Sequence, residues 1–380
     1  MRSPGNCFCG FLLVLCPVQL VRAATITEIG NLPGGCGIES VTAINSSGTI
    51  VGSACTPDTY VLFGSVVHAT EAFSWSQGVT KPLGSLGNFS AALAVNNQGD
   101  AVGESLPLNT GTYAFKAVLF SGGAVTRLAD AGSLRSVATA INDVGGIVGY
   151  SDFGAPRTQF AFVYTGGVET PLFTPIAGLS TAVGINNNGQ IAANQQGLAY
   201  LDTNGNFLPL GTLGGAYSSA SAVNSAGQVA GSASTSQGSH AFLYSDGVMK
   251  DLGTLGKDAD NNYSYATGLN DLGQVVGYSQ YEPTNSLTLA FLYANGAMID
   301  LNSLLPPDSG WQLMRAAGIN NSGQIAGTGL LNGRAAGFVL TLDSSDWEMP
   351  SVPEPPSLSL LCLCLTILGA LRHQQNSANS

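Results

Sequence analysis

A ten-residue phrase, small-aliphatic-Asn-x-x-Gly-x-aliphatic-x-small, recurs seven times, starting at Ala43, Ala94, Ala140, Gly184, Ala222, Gly268 and Gly318. Its asparagines are Asn45, Asn96, Asn142, Asn186, Asn224, Asn270 and Asn320, and three positions later stand Gly48, Gly99, Gly145, Gly189, Gly227, Gly273 and Gly323. The mean spacing of about 46 residues is near that of four-stranded propeller repeats. A unit this short cannot bury its apolar face alone, so neighbours must stack. The expected fold is all-β: a seven-bladed β-propeller of four-stranded antiparallel blades, formed as one body by residues 24–343.

Asn at the first position of a type I turn caps the turn with its side chain, and Gly accepts the left-handed conformation that starts the next strand. The phrase is therefore predicted to be a hairpin corner. A ring of seven Asn side chains serving as a ligand site is the competing reading, and it leaves the Gly unexplained. On the entering strand the positions two and four before Asn are small, as in Ala92 and Ala94 or Ala138 and Ala140. Alternation would put both on one face, where neighbouring sheets approach closely. Ile44, Val95, Ile141, Ile185, Val223, Leu269 and Ile319 would then point the other way into the packing.

The leaving strand usually ends in Gly, as at Gly52, Gly103 and Gly149, and an aromatic strand follows, as in Ala72 to Trp75, Ala161 to Tyr164, His240 to Tyr244 and Ala290 to Tyr293. Alternating aromatics form strands well. A glycine turn then leads to a fourth strand such as Met249 to Gly253. Thr27 to Leu32 matches that fourth-strand phrase, and the last copy, ending at Ala336 to Leu340, lacks one. The N-terminal strand is thus predicted to complete the last blade, which removes exposed sheet edges.

Charged residues are 9% of the chain, hydrophobic ones 44%, and Gly numbers 50, a balance suited to short buried strands between Gly turns rather than to disorder. The net charge is −11, and losing Arg2 and Arg22 would make the body more acidic, so nucleic acid and anionic lipid are poor partners. Residues 1–23 have the form of an export signal: Arg2, an apolar core from Phe11 to Leu15, and Val21-Arg22-Ala23 at the cleavage position. An uncleaved anchor is the alternative. Outside this leader and the apolar tail, Cys36 and Cys55 are the remaining cysteines. A lone pair in an exported chain is most simply a disulfide, with two buried thiols or a metal site as competing readings.

His240-Ala241-Phe242, the Leu-Gly-Thr-Leu-Gly runs at Leu210 to Gly214 and Leu252 to Gly256, and the Ile-Asn-x-x-Gly-Gln corners together resemble the HAF-repeat family of exported bacterial proteins, over about residues 25–343. The resemblance implies an extracellular β-rich repeat protein and brings no catalytic residues with it. Val352-Pro353-Glu354-Pro355 in a linker over 344–357, the apolar run Leu358 to Leu371, and Arg372 before the polar tail 373–380 resemble the PEP-CTERM sorting signal. That likeness implies a short hydrophobic helix in transient membrane contact, recognised and removed by an exosortase. The implied location is the cell surface or the medium; the alternative is a plain C-terminal anchor.

An enzyme needs an acid-base pair, a nucleophile with its base, or metal ligands. His68 and His240 are the histidines outside the tail, each beside a repeat strand. Asp251, Asp258, Asp260 and Asp271 cluster in sequence, yet Asp251 and Asp271 belong to repeat phrases. Asp258 to Asn262 offers oxygen ligands but lacks the Gly and Glu of a calcium loop. Asp202 to Asn206 reads as a hairpin turn. No catalytic residue, cofactor or metal is therefore predicted. The expected function is non-enzymatic binding or scaffolding of extracellular polysaccharide or an envelope protein; the alternative is a glycan-cleaving enzyme whose carboxylates meet only in space.

Overall fold

The computed structural model describes residues 24–62, 65–108, 114–128, 132–154, 159–173, 179–256, 262–280 and 287–343. The predicted signal, linker, hydrophobic helix and tail lie outside them. After β1 (Thr25–Ile29), the strands are β2 (Gly37–Ile44), β3 (Ile50–Leu62), β4 (Ser65–Ser76), β5 (Val79–Gly84), β6 (Phe89–Val95), β7 (Ala101–Leu106), β8 (Lys116–Ser121) and β9 (Ala124–Arg127). Next come β10 (Arg135–Ile141), β11 (Ile147–Asp152), β12 (Gln159–Thr165), β13 (Val168–Pro171), β14 (Ser180–Ile185), β15 (Ile191–Gln195), β16 (Leu198–Thr203) and β17 (Asn206–Pro209). The remainder are β18 (Ser218–Val223), β19 (Val229–Ser234), β20 (Ser239–Ser245), β21 (Val248–Asp251), β22 (Ser264–Leu269), β23 (Val275–Gln280), β24 (Thr288–Ala294), β25 (Ala297–Asp300), β26 (Trp311–Ile319), β27 (Gln324–Leu331) and β28 (Arg334–Thr341).

Strands β10 to β25 form four antiparallel meanders of four strands each. Strands β2 to β9 form one eight-stranded sheet, in which two such meanders meet through the single parallel pair Thr70 and Phe89. In the remaining sheet, ordered β1-β28-β27-β26, the first strand of the chain completes the last meander. Thr25 faces Thr341 and Ile29 faces Gly337 in that pairing. Ile29 sits in one apolar cluster with Ile38, Ile50 and Phe73 from the start of the chain and Ala317 and Val339 from its end. The two ends are thus joined by hydrogen bonds and by a shared core. Among the described residues no helix is long and apolar enough to cross a membrane.

One expectation about the entering strands needs correction. Every one of them carries a β-bulge between the positions four and two before Asn, as between Ala92 and Ala94, Ala138 and Ala140, or Ala266 and Gly268. The extra residue breaks the alternation, so the two small positions do not share a face. Ala92 and Ala138 are fully buried between sheets, whereas Ala94 and Ala140 border a central channel. Ile44, Val95, Ile185 and Val223 pack on the inter-sheet clusters and also line that channel.

The leaving strands do not end at their glycine as expected: Gly52, Gly103 and Gly149 are third residues of β3, β7 and β11, and the bulge explains why they are glycine. A Cβ on Gly149 would come within 2.0 Å of the Val137 carbonyl and 2.8 Å of the Phe162 ring, and one on Gly103 within 1.9 Å of the Ala91 carbonyl. Only a residue without a side chain lets the bulged carbonyl and the aromatic approach from both sides. Those aromatics, Phe73, Phe162, Phe242, Phe291 and Phe338, are among the largest fully or almost fully buried side chains.

Candidate functional site

The entering strands β2, β6, β10, β14, β18, β22 and β26 surround the channel, and the Asn turns form one of its mouths. Each turn closes with the Gly N–H donating to the Asn carbonyl, as from Gly227 to Asn224 at 3.1 Å, and the Gly φ values run from 74 to 89°. The Asn Oδ1 caps the turn. At Asn224 it accepts from the main-chain N–H groups of Ala226 (3.1 Å) and Gln228 (2.9 Å). The Nδ2 has a separate job: every Asn donates it to the main-chain carbonyl of the next repeat's Asn, at 2.8 to 3.3 Å. The series Asn45, Asn96, Asn142, Asn186, Asn224, Asn270 and Asn320 closes on itself, since Asn320 donates to Asn45. In the last four repeats a Gln four residues on, such as Gln228, accepts the other Nδ2 hydrogen. All seven asparagines are buried, so the ring is a clasp between neighbouring meanders.

A second tier of bonds lies outside the first. Asp143 accepts from the Asn97 main chain and side chain and from the Asn187 amide, each at 2.8 Å. Asp271 accepts from the main chain and hydroxyl of Ser225 and from the Asn321 amide. Burial pushes both carboxyls up, but these donors outweigh it and hold both below the ordinary aspartate value. Each is an ionised acceptor, unsuited to act as a general acid. Because the folded values are lowered, the stability these groups supply is present above the ordinary aspartate value and is lost as pH falls through the folded one. The wild type should therefore exceed the Asp143→Asn/Asp271→Asn variant in thermal midpoint near neutrality, and the gap should close in acid. A gap unchanged down to about pH 2 would count against this account.

The other mouth lies at the opposite end of the same strands. Its cavity, about 460 Å³, is lined by Glu39, Ser40, Val41 and Thr42 of β2, by Ser221 and Thr267 of β18 and β22, and by Arg315, Ala317 and Thr328 of β26 and β27. Thr42 and Thr267 sit at bulges and donate to Ala92 and Ala316 carbonyls of the following meander. Arg315 is exposed and lies 4.7 Å above the Tyr278 ring, which stacks on Tyr265 at 5.3 Å. Burial pushes the Tyr278 phenol up while Arg315 pulls it down, with a net rise that keeps the ring neutral under the cation.

The other residues singled out by sequence are dispersed. Cys36, just before β2, and Cys55 of β3 form a disulfide, with Cα atoms 5.4 Å apart. His68 Nδ1 meets the Thr56 carbonyl at 3.1 Å, and His240 Nδ1 meets the Asp251 carboxylate at 2.9 Å. Asp251 is therefore in an outer hairpin and Asp271 at the turn mouth, while Asp258, Asp260 and Asn261 lie outside the described residues. Burial pushes the carboxyls of Glu71 and Asp202 up, but these belong to the first and fourth meanders and neither lines the channel. Asn204 and Gly205 have φ values of 53 and 84° in the turn after Asp202.

Sequence reasoning missed a recurrent serine six positions before Asn. Ser90, Ser136, Ser180, Ser218 and Ser264 accept from the N–H of Ala72, Ala117, Ala161, Ala199 and Ala241 in the preceding meander. Its fixed offset was the available signal.

No protein-family model matches the chain, and no curated protein matches it. Among solved structures, the β-propeller domain of the Trilobed protease from Pyrococcus furiosus, described as having an open velcro topology, is similar with a TM-score of 0.51 and 9% identity, over 83% of this chain and 100% of that one. TolB from Acinetobacter baumannii has a TM-score of 0.42 and 11% identity over 78% of this chain and 64% of that one. A Trypanosoma rangeli sialidase has a TM-score of 0.41 and 10% identity over 85% and 59%. The sheets around a channel and the first of these likenesses define the class: the fold is a β-propeller. At such identity the likeness speaks for the fold alone.

Proposed function

We propose that this chain is an exported, seven-bladed β-propeller that binds or scaffolds polysaccharide outside the cell and performs no catalysis. The supporting observation is the contrast between the two channel mouths. At the turn mouth the Asn, Asp and Ser groups are tied to one another. At the opposite mouth, the side-chain hydroxyls of Ser221 and Thr328 have no hydrogen-bond partner among the described residues and line the same cavity as an exposed guanidinium. A concave site with a few unpartnered polar groups and nearby aromatics is the general form of a small-ligand subsite. The sorting resemblance supports export followed by removal of the tail by an exosortase.

The test is a glycan array of the exported full chain, with its C-terminus read by intact mass and the bound glycans analysed for chain cleavage. Retained glycan of unchanged length and a shortened C-terminus are expected. Release of shorter products would replace this proposal with the glycosidase reading, and absence of any glycan binding would overturn it.

A further inference from the structure

The chain has 23 acidic and 12 basic residues, so a cation without an acidic partner stands out. Arg135 pairs with Glu104, and Arg334 pairs with Glu28. Arg315 has no carboxylate or carbonyl partner among the described residues. It lies over an aromatic ring instead: its guanidinium carbon is 4.7 Å from the Tyr278 centroid, and Tyr278 faces Tyr265 across β22 and β23 with the rings 27° from parallel. Tyr263 extends the aromatic group, 5.5 Å from Tyr265.

A cation–π contact uses none of the guanidinium N–H groups as hydrogen-bond donors to oxygen, so they remain for a ligand. Those donors match the two oxygens of a carboxylate, and such charge-assisted pairs are about twice as strong as neutral ones. Around the same cavity stand the hydroxyls of Ser221 and Thr328 and the carboxylate of Glu39, one oxygen of which accepts from Thr70. Glu39 repels any anion, and a densely charged one such as phosphate more than a single carboxylate, and it accepts from hydroxyl groups. A single carboxylate for the guanidinium and several hydroxyls for Ser221, Thr328 and Glu39 describe a uronic acid.

Resting on the polysaccharide-binding proposal, we infer that this mouth binds an acidic polysaccharide through one uronic-acid unit, with its carboxylate on Arg315 and its hydroxyls on Ser221, Thr328 and Glu39. The cavity of about 460 Å³ is within the size range of ligand pockets.

The test is calorimetric titration of the full chain with tetragalacturonate, its methyl ester and neutral cellotetraose. The acid should bind about tenfold or more tighter than the ester, the advantage weakening with salt. Arg315→Gln should reduce the acid to the affinity of the ester, Arg315→Lys should recover only part, and Arg334→Gln, remote from the cavity lining, should change nothing. Equal binding of acid and ester, or an Arg315→Gln variant that melts normally and keeps the preference, would overturn the inference and leave polysaccharide binding standing. If none of the three oligosaccharides binds, the inference falls here, and the glycan array decides the broader proposal separately.

Discussion

Removing residues 24–31 should cost the protein on the order of 4 kcal/mol or more and open it at the last sheet, because β1 is at once an edge cover and part of a core. Ile29 is 1% exposed and packs among residues from both ends of the chain. Loss of its side chain alone is worth ~2–5 kcal/mol. The Ala24 N–H also donates to the Leu304 carbonyl, and the strand pairs with β28 from Thr25 to Ile29. The Glu28–Arg334 ion pair is partly exposed and adds at most about 1 kcal/mol, so Arg334→Gln serves as a near-neutral control. Hydrogen exchange should show lost protection first in Ala336 to Leu340, while β18 to β21, distant in the ring, stay protected. The uncovered β28 edge should also make the truncated chain self-associate with concentration. Unchanged exchange at Ala336 to Leu340 would mean that the ring does not depend on this closure.

What was legible in the sequence was mostly local. The Asn and Gly of the turn lie three residues apart and act on each other's backbone, so turn chemistry alone places them. The N-terminal strand was legible because Thr27 to Leu32 repeats a phrase that the last copy lacks. The bulge was hidden, since strict alternation is the only pattern that the small residues show, and the extra residue is apparent only in the pairing of Ala138 with Gly149 and Ala140 with Val148. The clasp was hidden for a different reason. The Nδ2 hydrogen that joins two repeats has its acceptor far away in sequence, 38 residues from Asn186 and 275 from Asn320. The Arg315–Tyr278 stack likewise joins different repeats, so neither residue carries a recognisable phrase.

The clasp makes a prediction that turn capping alone does not. Asn224 is 4% exposed; its Oδ1 serves Ala226 and Gln228, while its Nδ2 serves the Gln228 Oε1 at 2.7 Å and the Asn270 carbonyl at 3.0 Å. Asn224→Ala strands two main-chain donors, each worth about 1–3 kcal/mol when buried, and leaves the Asn270 carbonyl with only the Gly273 N–H, so the expected loss is about 3–5 kcal/mol. Asn224→Asp separates the two roles. An aspartate keeps the capping oxygen and nearly the same shape, so if capping were the whole role it would be close to neutral. In the clasp its second oxygen faces the Asn270 carbonyl. Gln228 can turn its amide to donate, but the main-chain carbonyl has no such freedom. The ionised aspartate is therefore repelled in the folded state, and its folded pKa is raised above the unfolded value. Protonated, it regains a donor, so the compensating stability is present below the unfolded pKa and is lost as pH rises through the folded one. Denaturant melts across pH should show Asn224→Asp far below wild type at neutrality and approaching it in acid, with Asn224→Ala showing no such approach. An aspartate variant as stable as wild type at neutral pH would reduce the ring of asparagines to a set of independent turn caps.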